Sequence, residues 1–340
     1  MLSEGKEKAD ALSFLGLLLE LGSDTHKNQP GVIKLSQTPT IHEHPVTLIH
    51  HAASCGDAAP PGSLAALEQC FSKGAAFVEI DVIPLADGSF ALLHDQDLAA
   101  QTTGIGNTSQ MGRSQVGNLF YQMNGSISSE KVGFLEGAIE LLQAYPKVQR
   151  LQLDFKPFTP LTAPLLMSLM DMLTPVIARV QVSSVADWAI RALARTSNDL
   201  ALGFDPLLYL DIVDNEPRPD NIPPFRMGAY GLLDDHPLSA FEWGSLEDYF
   251  AARAEALFTQ VPQGCEWFIR AEVLQMALDA GFDWIAFLQQ RGSTVDGWTI
   301  DVSQPAQVEL AHTLVGHGID KLTTDTPDLL AAHLPVMTIV

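Results

Sequence analysis

The stretch FVEIDVIPLADGSFALLHDQDL, residues 77–98, places acidic residues and a histidine inside two apolar, strand-like runs. Alternate residues of a strand lie on the same face, so Glu79 and Asp81 share one face of the first run while Val78, Ile80 and Val82 occupy the other. An ionised carboxylate is costly to bury unless it is paired or binds a metal ion. We therefore expect these two carboxylates to face a functional site.

The composition of the chain excludes some classes of partner. Its 340 residues include 19 Lys and Arg against 41 Asp and Glu, a formal charge of −22. Nucleic acid and anionic membranes attract clusters of basic residues, so neither is expected as a partner. The 46% apolar fraction is typical of a well-packed globular protein. The three cysteines, at positions 55, 70 and 265, are sparse and odd in number, so we interpret them as ordinary buried thiols.

The N-terminal region, residues 1–45, contains one apolar run at 11–19 that is too short to span a bilayer. Acidic residues are mixed among its first lysines and no clean small-residue cleavage site follows, which argues against a signal peptide. We expect an amphipathic helix and a polar linker that pack on the main domain. This predicts no stable membrane insertion and a cytoplasmic location.

Strand-like runs alternate with helical patterns over the rest of the chain. This order is typical of βαβ units, and eight such strands predict a closed α/β structure, the (β/α)8 TIM barrel, with an N-terminal helical extension. The predicted strands lie at 46–51, 76–82, 90–95, 150–155, 179–184, 200–205, 295–300 and 321–325.

Two connections depart from this regular pattern. Only the turn at 84–89 separates the second and third predicted strands, which predicts an antiparallel or distorted pair because a parallel crossover needs a longer connection. Residues 206–264 are longer than a βα loop requires, so we predict an insertion at the barrel rim. The predicted domains are therefore the extension at 1–45 and the barrel at 46–340.

Several ionisable residues fall at the ends of predicted strands, where TIM barrels place their active sites. His50 ends the first strand, His94 the third, and Asp154 the fourth, with Lys156 two residues later. Carboxylate oxygens suit Mg²⁺, Ca²⁺ or Mn²⁺. Two histidines that titrate near neutral pH can act as general base and general acid.

The order of these motifs points to a known family. They are LIHHAAS (48–54), FVEIDV (77–82), FALLHDQDLAAQTTGIG (90–106), LQLDFK (151–156), VQVSS (180–184), GWTIDV (297–302) and LTTDTPDLL (322–330). Together they resemble the glycerophosphodiester phosphodiesterase family over about residues 46–330.

The resemblance implies a metal-dependent enzyme that hydrolyses small glycerophosphodiesters to sn-glycerol 3-phosphate and an alcohol. His50 is expected as general base and His94 as general acid, with the reverse assignment left open. The implied site residues are Glu79, Asp81 and Asp154 for one divalent cation, His50 and His94 for proton transfer, Lys156 for the phosphate and Trp298 for the glycerol.

Three departures from the family pattern leave alternatives open. The family's His-Arg-Gly is His50-His51-Ala52 here, so a bidentate arginine contact is missing and His51 becomes a candidate for phosphate binding. The family's Pro-Glu-Asn is Pro-Pro-Gly at 60–62, and Asp154 stands where Glu is usual.

One alternative function is phospholipase D-like cleavage, of the sphingomyelinase D type, that forms a cyclic phosphate. Another is a degenerate barrel that binds phosphodiesters without turnover. For the carboxylates, an ion pair with Lys156 is the alternative to a metal.

Overall fold

Strands and helices alternate along the computed structural model, which describes residues 45–56, 59–123, 125–157, 160–210 and 245–334. The strands of this part are β1 (Thr47–His50), β2 (Phe77–Pro84), β3 (Phe90–Ala91), β4 (Phe120–Met123), β5 (Ser126–Lys131), β6 (Arg150–Phe155), β7 (Val180–Ser184), β8 (Ala201–Phe204), β9 (Glu266–Arg270), β10 (Val295–Ile300) and β11 (Lys321–Thr324). Its helices are α1 (Leu64–Ser72), α2 (Leu98–Gln101), α3 (Arg113–Val116), α4 (Leu135–Ala144), α5 (Ala163–Leu173), α6 (Asp187–Thr196), α7 (Leu246–Gln260), α8 (Ala271–Ala280), α9 (Trp284–Gln289), α10 (Pro305–Gly316) and α11 (Pro327–His333).

Eight of these strands form a closed parallel barrel surrounded by helices. Around the ring they follow the order β1, β2, β6, β7, β8, β9, β10 and β11, and β1 pairs in parallel with both β2 and β11. The predicted (β/α)8 fold is confirmed. Enzymes with this fold carry their functional groups at the carboxyl ends of the barrel strands.

The identity of one barrel strand differs from the sequence prediction. The run at 90–95 contributes only the two-residue β3, which pairs antiparallel with β2 and lies outside the ring. The eighth place in the ring belongs to β9, whose sequence EWFIR was not assigned to a strand. The short turn at 84–89 accounts for the difference, because it can join only an antiparallel neighbour.

The predicted rim insertion at 206–264 overlaps a regular barrel element. Its last part forms α7, the helix that precedes β9, and the side chain of Ser245 caps this helix by accepting a hydrogen bond from Asp248 N–H at 3.1 Å. Residues 211–244 lie outside the described residues, as does the predicted N-terminal extension apart from residue 45. None of the described helices is long and apolar enough to cross a membrane.

The outward face of β2 is apolar, as its alternation predicts. Val78, Ile80 and Val82 are buried in one cluster with Leu67 and Phe71 of α1. Burial of each large apolar side chain contributes roughly 1.5–3 kcal/mol, so this packing fixes which face of the strand turns outward. The acidic residues of β2 are left to face the barrel interior.

A small lobe at 84–134 follows β2 and contains the antiparallel hairpin of β4 and β5. Its buried core includes Leu93, Leu98 and Tyr121. The Tyr121 hydroxyl donates a 2.7 Å hydrogen bond to the Leu92 carbonyl. This bond ties the hairpin to the segment that carries His94.

Cys55 and Cys70 form a disulfide, with their Cα atoms 5.7 Å apart, between the loop after β1 and helix α1. Their interpretation as ordinary thiols is therefore wrong, whereas Cys265 is a buried free cysteine. Pairing depends on the distance between the two Cα atoms, which sequence spacing does not reveal. Because disulfides are rare in the cytosol, this bond weighs against the cytoplasmic location expected from the N-terminal sequence.

Candidate active site

An open pocket of about 640 Å³ lies at the carboxyl ends of the barrel strands. Seven of the eight site residues expected from the sequence line it, and His50 does not. The lining residues are His51, Glu79, Asp81, His94, Gln152, Asp154, Lys156, Ser183, Val185, Asp205, Leu207, Phe268, Trp298, Thr299 and Thr323.

Glu79, Asp81 and Asp154 form what we call the acidic cluster. Each offers one carboxylate oxygen, and these three oxygens lie within 4.8 Å of one another. The arrangement follows from strand register, because Asp81 on β2 pairs directly with Asp154 on β6. Burial, followed by the charge of Asp81, raises the pKa of Glu79 to about 8. A divalent cation would relieve this repulsion, and the oxygen ligands suit Mg²⁺, Ca²⁺ or Mn²⁺.

Lys156 lies against the acidic cluster. Its Nζ is 2.8 Å from Asp154 Oδ2 and 3.1 Å from Asp81 Oδ1. Burial opposes the charge of the ammonium group, but the two aspartates outweigh it and raise the pKa of Lys156. The ion pair expected as an alternative to a metal is therefore present. When all three carboxylates are ionised, one ammonium leaves two negative charges unmatched, which is the charge of a dication.

His51 enters the pocket from a tight turn after β1. The next two residues, Ala52 and Ala53, have φ angles of 45° and 51°, in the left-handed region. The Ala52 N–H donates a 2.8 Å hydrogen bond to Glu79 Oε2 and holds this turn against β2. Strand alternation would direct His51 outward, but the regular strand ends one residue earlier and alternation no longer applies.

A carboxylate orients the imidazole of His51. Its Nδ1 lies 2.8 Å from Asp325 Oδ1, while its Nε2 lies 4.0 Å from Glu79 Oε2. Burial opposes protonation of this ring, but its hydrogen bond to the Asp325 carboxylate and the charge of Glu79 outweigh burial and raise the pKa of His51 to about 9. His51 therefore presents one ring nitrogen to a fixed partner and the other to the acidic cluster.

His50, the histidine expected as general base, does not line the pocket. Its Nδ1 is 2.9 Å from the carbonyl oxygen of Ser54 and 3.6 Å from Sγ of Cys55. Burial lowers the pKa of His50, which favours the neutral ring. The structure thus places His50 beside the disulfide and gives the pocket position to His51.

His94 reaches the pocket from the small lobe rather than from a barrel strand. Its backbone N–H donates a 2.8 Å hydrogen bond to Gln101 Oε1, and its Nδ1 lies 3.1 Å from Asp95 Oδ1. The side chain is 52% exposed. Both pocket histidines therefore have a carboxylate beside Nδ1, which leaves Nε2 available for proton transfer.

Sequence reasoning missed several polar residues at other strand ends. Gln152 Nε2 donates a 3.0 Å hydrogen bond to Ser183 Oγ, which lies 3.5 Å from Asp154 Oδ1. Asp205 follows β8 directly, and burial raises its pKa to about 8. The available signal was a polar residue at the carboxyl end of an apolar run, as in VQVSS and LALGFD.

Comparison with known proteins finds a family model that matches part of the chain. Residues 54–189 match the model of the Glycerophosphoryl diester phosphodiesterase family. The matched segment spans about two fifths of the chain. It contains the acidic cluster, His94 and Lys156, so the resemblance seen in the motifs is confirmed. Members of the family are phosphoric diester hydrolases, which confirms the predicted enzyme class.

Solved structures share the barrel. A phosphodiesterase from Oleispira antarctica, in complex with the product sn-glycerol-3-phosphate, is 20% identical with a TM-score of 0.58, covering 85% of this chain and 96% of that one. A glycerophosphodiester phosphodiesterase from Parabacteroides distasonis is 17% identical with a TM-score of 0.59, covering 85% and 97%. At these identities the likeness establishes the fold. A search of curated proteins gave no significant match.

Proposed function

We propose that this protein hydrolyses glycerophosphodiesters to sn-glycerol 3-phosphate and an alcohol, with one divalent cation. The observation that carries the proposal is the meeting of the acidic cluster, Lys156 and two carboxylate-oriented histidines in one pocket. The family match supports the reaction class, and the relative solved with sn-glycerol-3-phosphate supports the product.

The acidic cluster would hold the cation. When bound, the cation would polarise the phosphoryl oxygens and stabilise negative charge in the transition state. Lys156 is the one Lys or Arg among the described residues that line the pocket, and it would contact the phosphate in place of the family's arginine. Trp298 lines the same pocket and would contact the glycerol.

His51 and His94 would carry out the proton transfers. A cation in the acidic cluster would offset the charges of Glu79 and Asp81, which contribute to the raised pKa of His51, and so favour the neutral ring. His51 Nε2 would then take the proton from the attacking water as its oxygen bonds to phosphorus, and Asp325 would stabilise the imidazolium that forms. The bond from phosphorus to the leaving oxygen breaks, and His94 donates a proton to that oxygen. Compared with the sequence prediction, the general base moves by one residue, from His50 to His51.

The test is product analysis by phosphorus NMR with glycerophosphocholine and Mg²⁺, Ca²⁺ or Mn²⁺. We expect sn-glycerol 3-phosphate from the wild type, and no product with EDTA or with His51→Ala. Because His50 packs beside the disulfide, His50→Ala is the matched control and should retain activity.

Full activity in EDTA would contradict the metal requirement. A cyclic phosphate would favour the phospholipase D-like alternative, and cation binding without turnover would favour the degenerate barrel.

A further inference from the structure

Asp205 is a carboxylate of the pocket that the proposed reaction does not use. Its backbone N–H donates a 3.1 Å hydrogen bond to the Ser184 carbonyl, and its Oδ1 accepts one of 2.8 Å from Leu207 N–H. These bonds fix the side chain at the end of β8. The described part of the chain provides no ion-pair partner for Asp205, although the group lines the pocket.

The negative charges of the pocket, including that of an ionised Asp205, can be compared with the cations that would offset them. A bound dication and Lys156 together match the three charges of the acidic cluster. A phosphodiester then brings one further negative charge, and the described lining contains no other Lys or Arg to offset both it and Asp205. With a neutral alcohol Asp205 stays unpaired and its raised pKa favours the protonated form, whereas a zwitterionic substrate brings a cation that favours the ionised carboxylate.

An aromatic ring lines the same pocket as this carboxylate. Gly203 and Asp205 are two residues apart on β8 and its end, so they share a face. A Cβ atom on Gly203 would overlap the ring of Phe268, so the absence of a side chain there lets the ring lie over β8. Phe268 also lines the pocket. A carboxylate next to an aromatic face is an arrangement that binds alkylammonium groups.

We propose that Asp205 and Phe268 form a specificity site for the alkylammonium group of a zwitterionic glycerophosphodiester, as in a choline leaving alcohol. This inference rests on the proposed function. The apolar side chains of Val185 and Leu207 line the same pocket and suit the methyl groups of such a cation. The site selects the leaving alcohol, while the acidic cluster and Lys156 act on the phosphate.

The experiment compares glycerophosphocholine with glycerophosphoglycerol, whose leaving alcohol is neutral. Asp205→Asn removes the charge but keeps an oxygen that can accept the Leu207 N–H. We expect kcat/KM for glycerophosphocholine to fall about tenfold or more, mainly through KM, and kcat/KM for glycerophosphoglycerol to stay equal or rise. Asp199→Asn, an exposed change before the other end of β8, is the matched control and should alter neither value.

A second variant tests the ring separately. Phe268→Leu keeps an apolar side chain but removes the π face, so KM for glycerophosphocholine should rise severalfold while KM for the neutral diester does not. An equal fall with both diesters in Asp205→Asn, or no change with either, would overturn the assignment. Hydrolysis of neither diester by the wild type would instead overturn the proposed function, and this inference with it.

Discussion

A hydrogen bond of 2.8 Å between His51 Nδ1 and Asp325 Oδ1 crosses the seam at which the barrel closes. His51 follows β1 and Asp325 follows β11, and these are the first and last strands of the ring, paired in parallel. The position of the proposed general base therefore depends on closure of the barrel. A hydrogen-bonded carboxylate fixes the tautomer and orientation of an imidazole, so Asp325 is a positioning residue.

The first prediction concerns Asp325. Asp325→Asn should lower kcat about 10- to 100-fold with little change in KM, because the carboxylate orients His51 and does not contact the substrate. Steady-state kinetics with glycerophosphocholine measure both constants. The exposed Asp328→Asn, three residues further on, is the control and should retain kcat. Equal loss of kcat in the two variants would contradict a positioning role.

The second prediction concerns competition for the acidic cluster. The Lys156 ammonium lies within 3.1 Å of both Asp81 and Asp154, so it repels a cation there and occupies oxygens that the cation would bind. Lys156→Met should therefore bind Mg²⁺ more tightly in calorimetry, yet hydrolyse the diester more slowly. Lys147→Met removes an exposed charge and should leave Mg²⁺ affinity unchanged. Unchanged or weaker Mg²⁺ binding by Lys156→Met would place the cation elsewhere.

The third prediction concerns the disulfide. Cys55 and Cys70 are 15 residues apart, and closing a loop of this length in the unfolded chain contributes about 3 kcal/mol to the free energy of unfolding. The double variant Cys55→Ser, Cys70→Ser should lose about that amount in urea unfolding. Under non-reducing denaturing conditions the wild type should show one reactive thiol, that of Cys265. Three reactive thiols would contradict the bond.

The sequence predicted the features that depend on local periodicity. Alternation along β2 identified both the buried apolar face and the acidic face, because a strand has a fixed period of two residues. The same rule misassigned His51, since the chain leaves the strand there and Ala52 adopts a positive φ angle. It also missed β9, because EWFIR lacks a regular alternation of polar and apolar residues. The family resemblance supplied roles for motif residues but none for Asp205, which lies outside those motifs.

The last prediction concerns Asp296, a buried acidic residue in the barrel interior. Asp296 is 0% exposed; its Oδ2 accepts a 2.9 Å hydrogen bond from Thr323 Oγ1, and its Oδ1 has no partner among the described residues. Nearby, Lys321 forms an ion pair with Glu266, with 2.6 Å between Nζ and Oε2. Burial, followed by the charge of Glu266, raises the pKa of Asp296 to about 7.

Because this pKa lies above the unfolded value of 3.8, the folded state binds the proton more tightly than the unfolded state. The contribution of Asp296 to the free energy of unfolding is therefore fully present below about pH 4 and is lost as the pH rises through about 7. Asp296→Asn cannot ionise, so its stability relative to the wild type should increase from pH 5 to pH 8 by at least about 1 kcal/mol. Urea unfolding in EDTA measures this difference, and the exposed Asp171→Asn should show none. An equal stability difference at both pH values would mean that Asp296 does not titrate in this range.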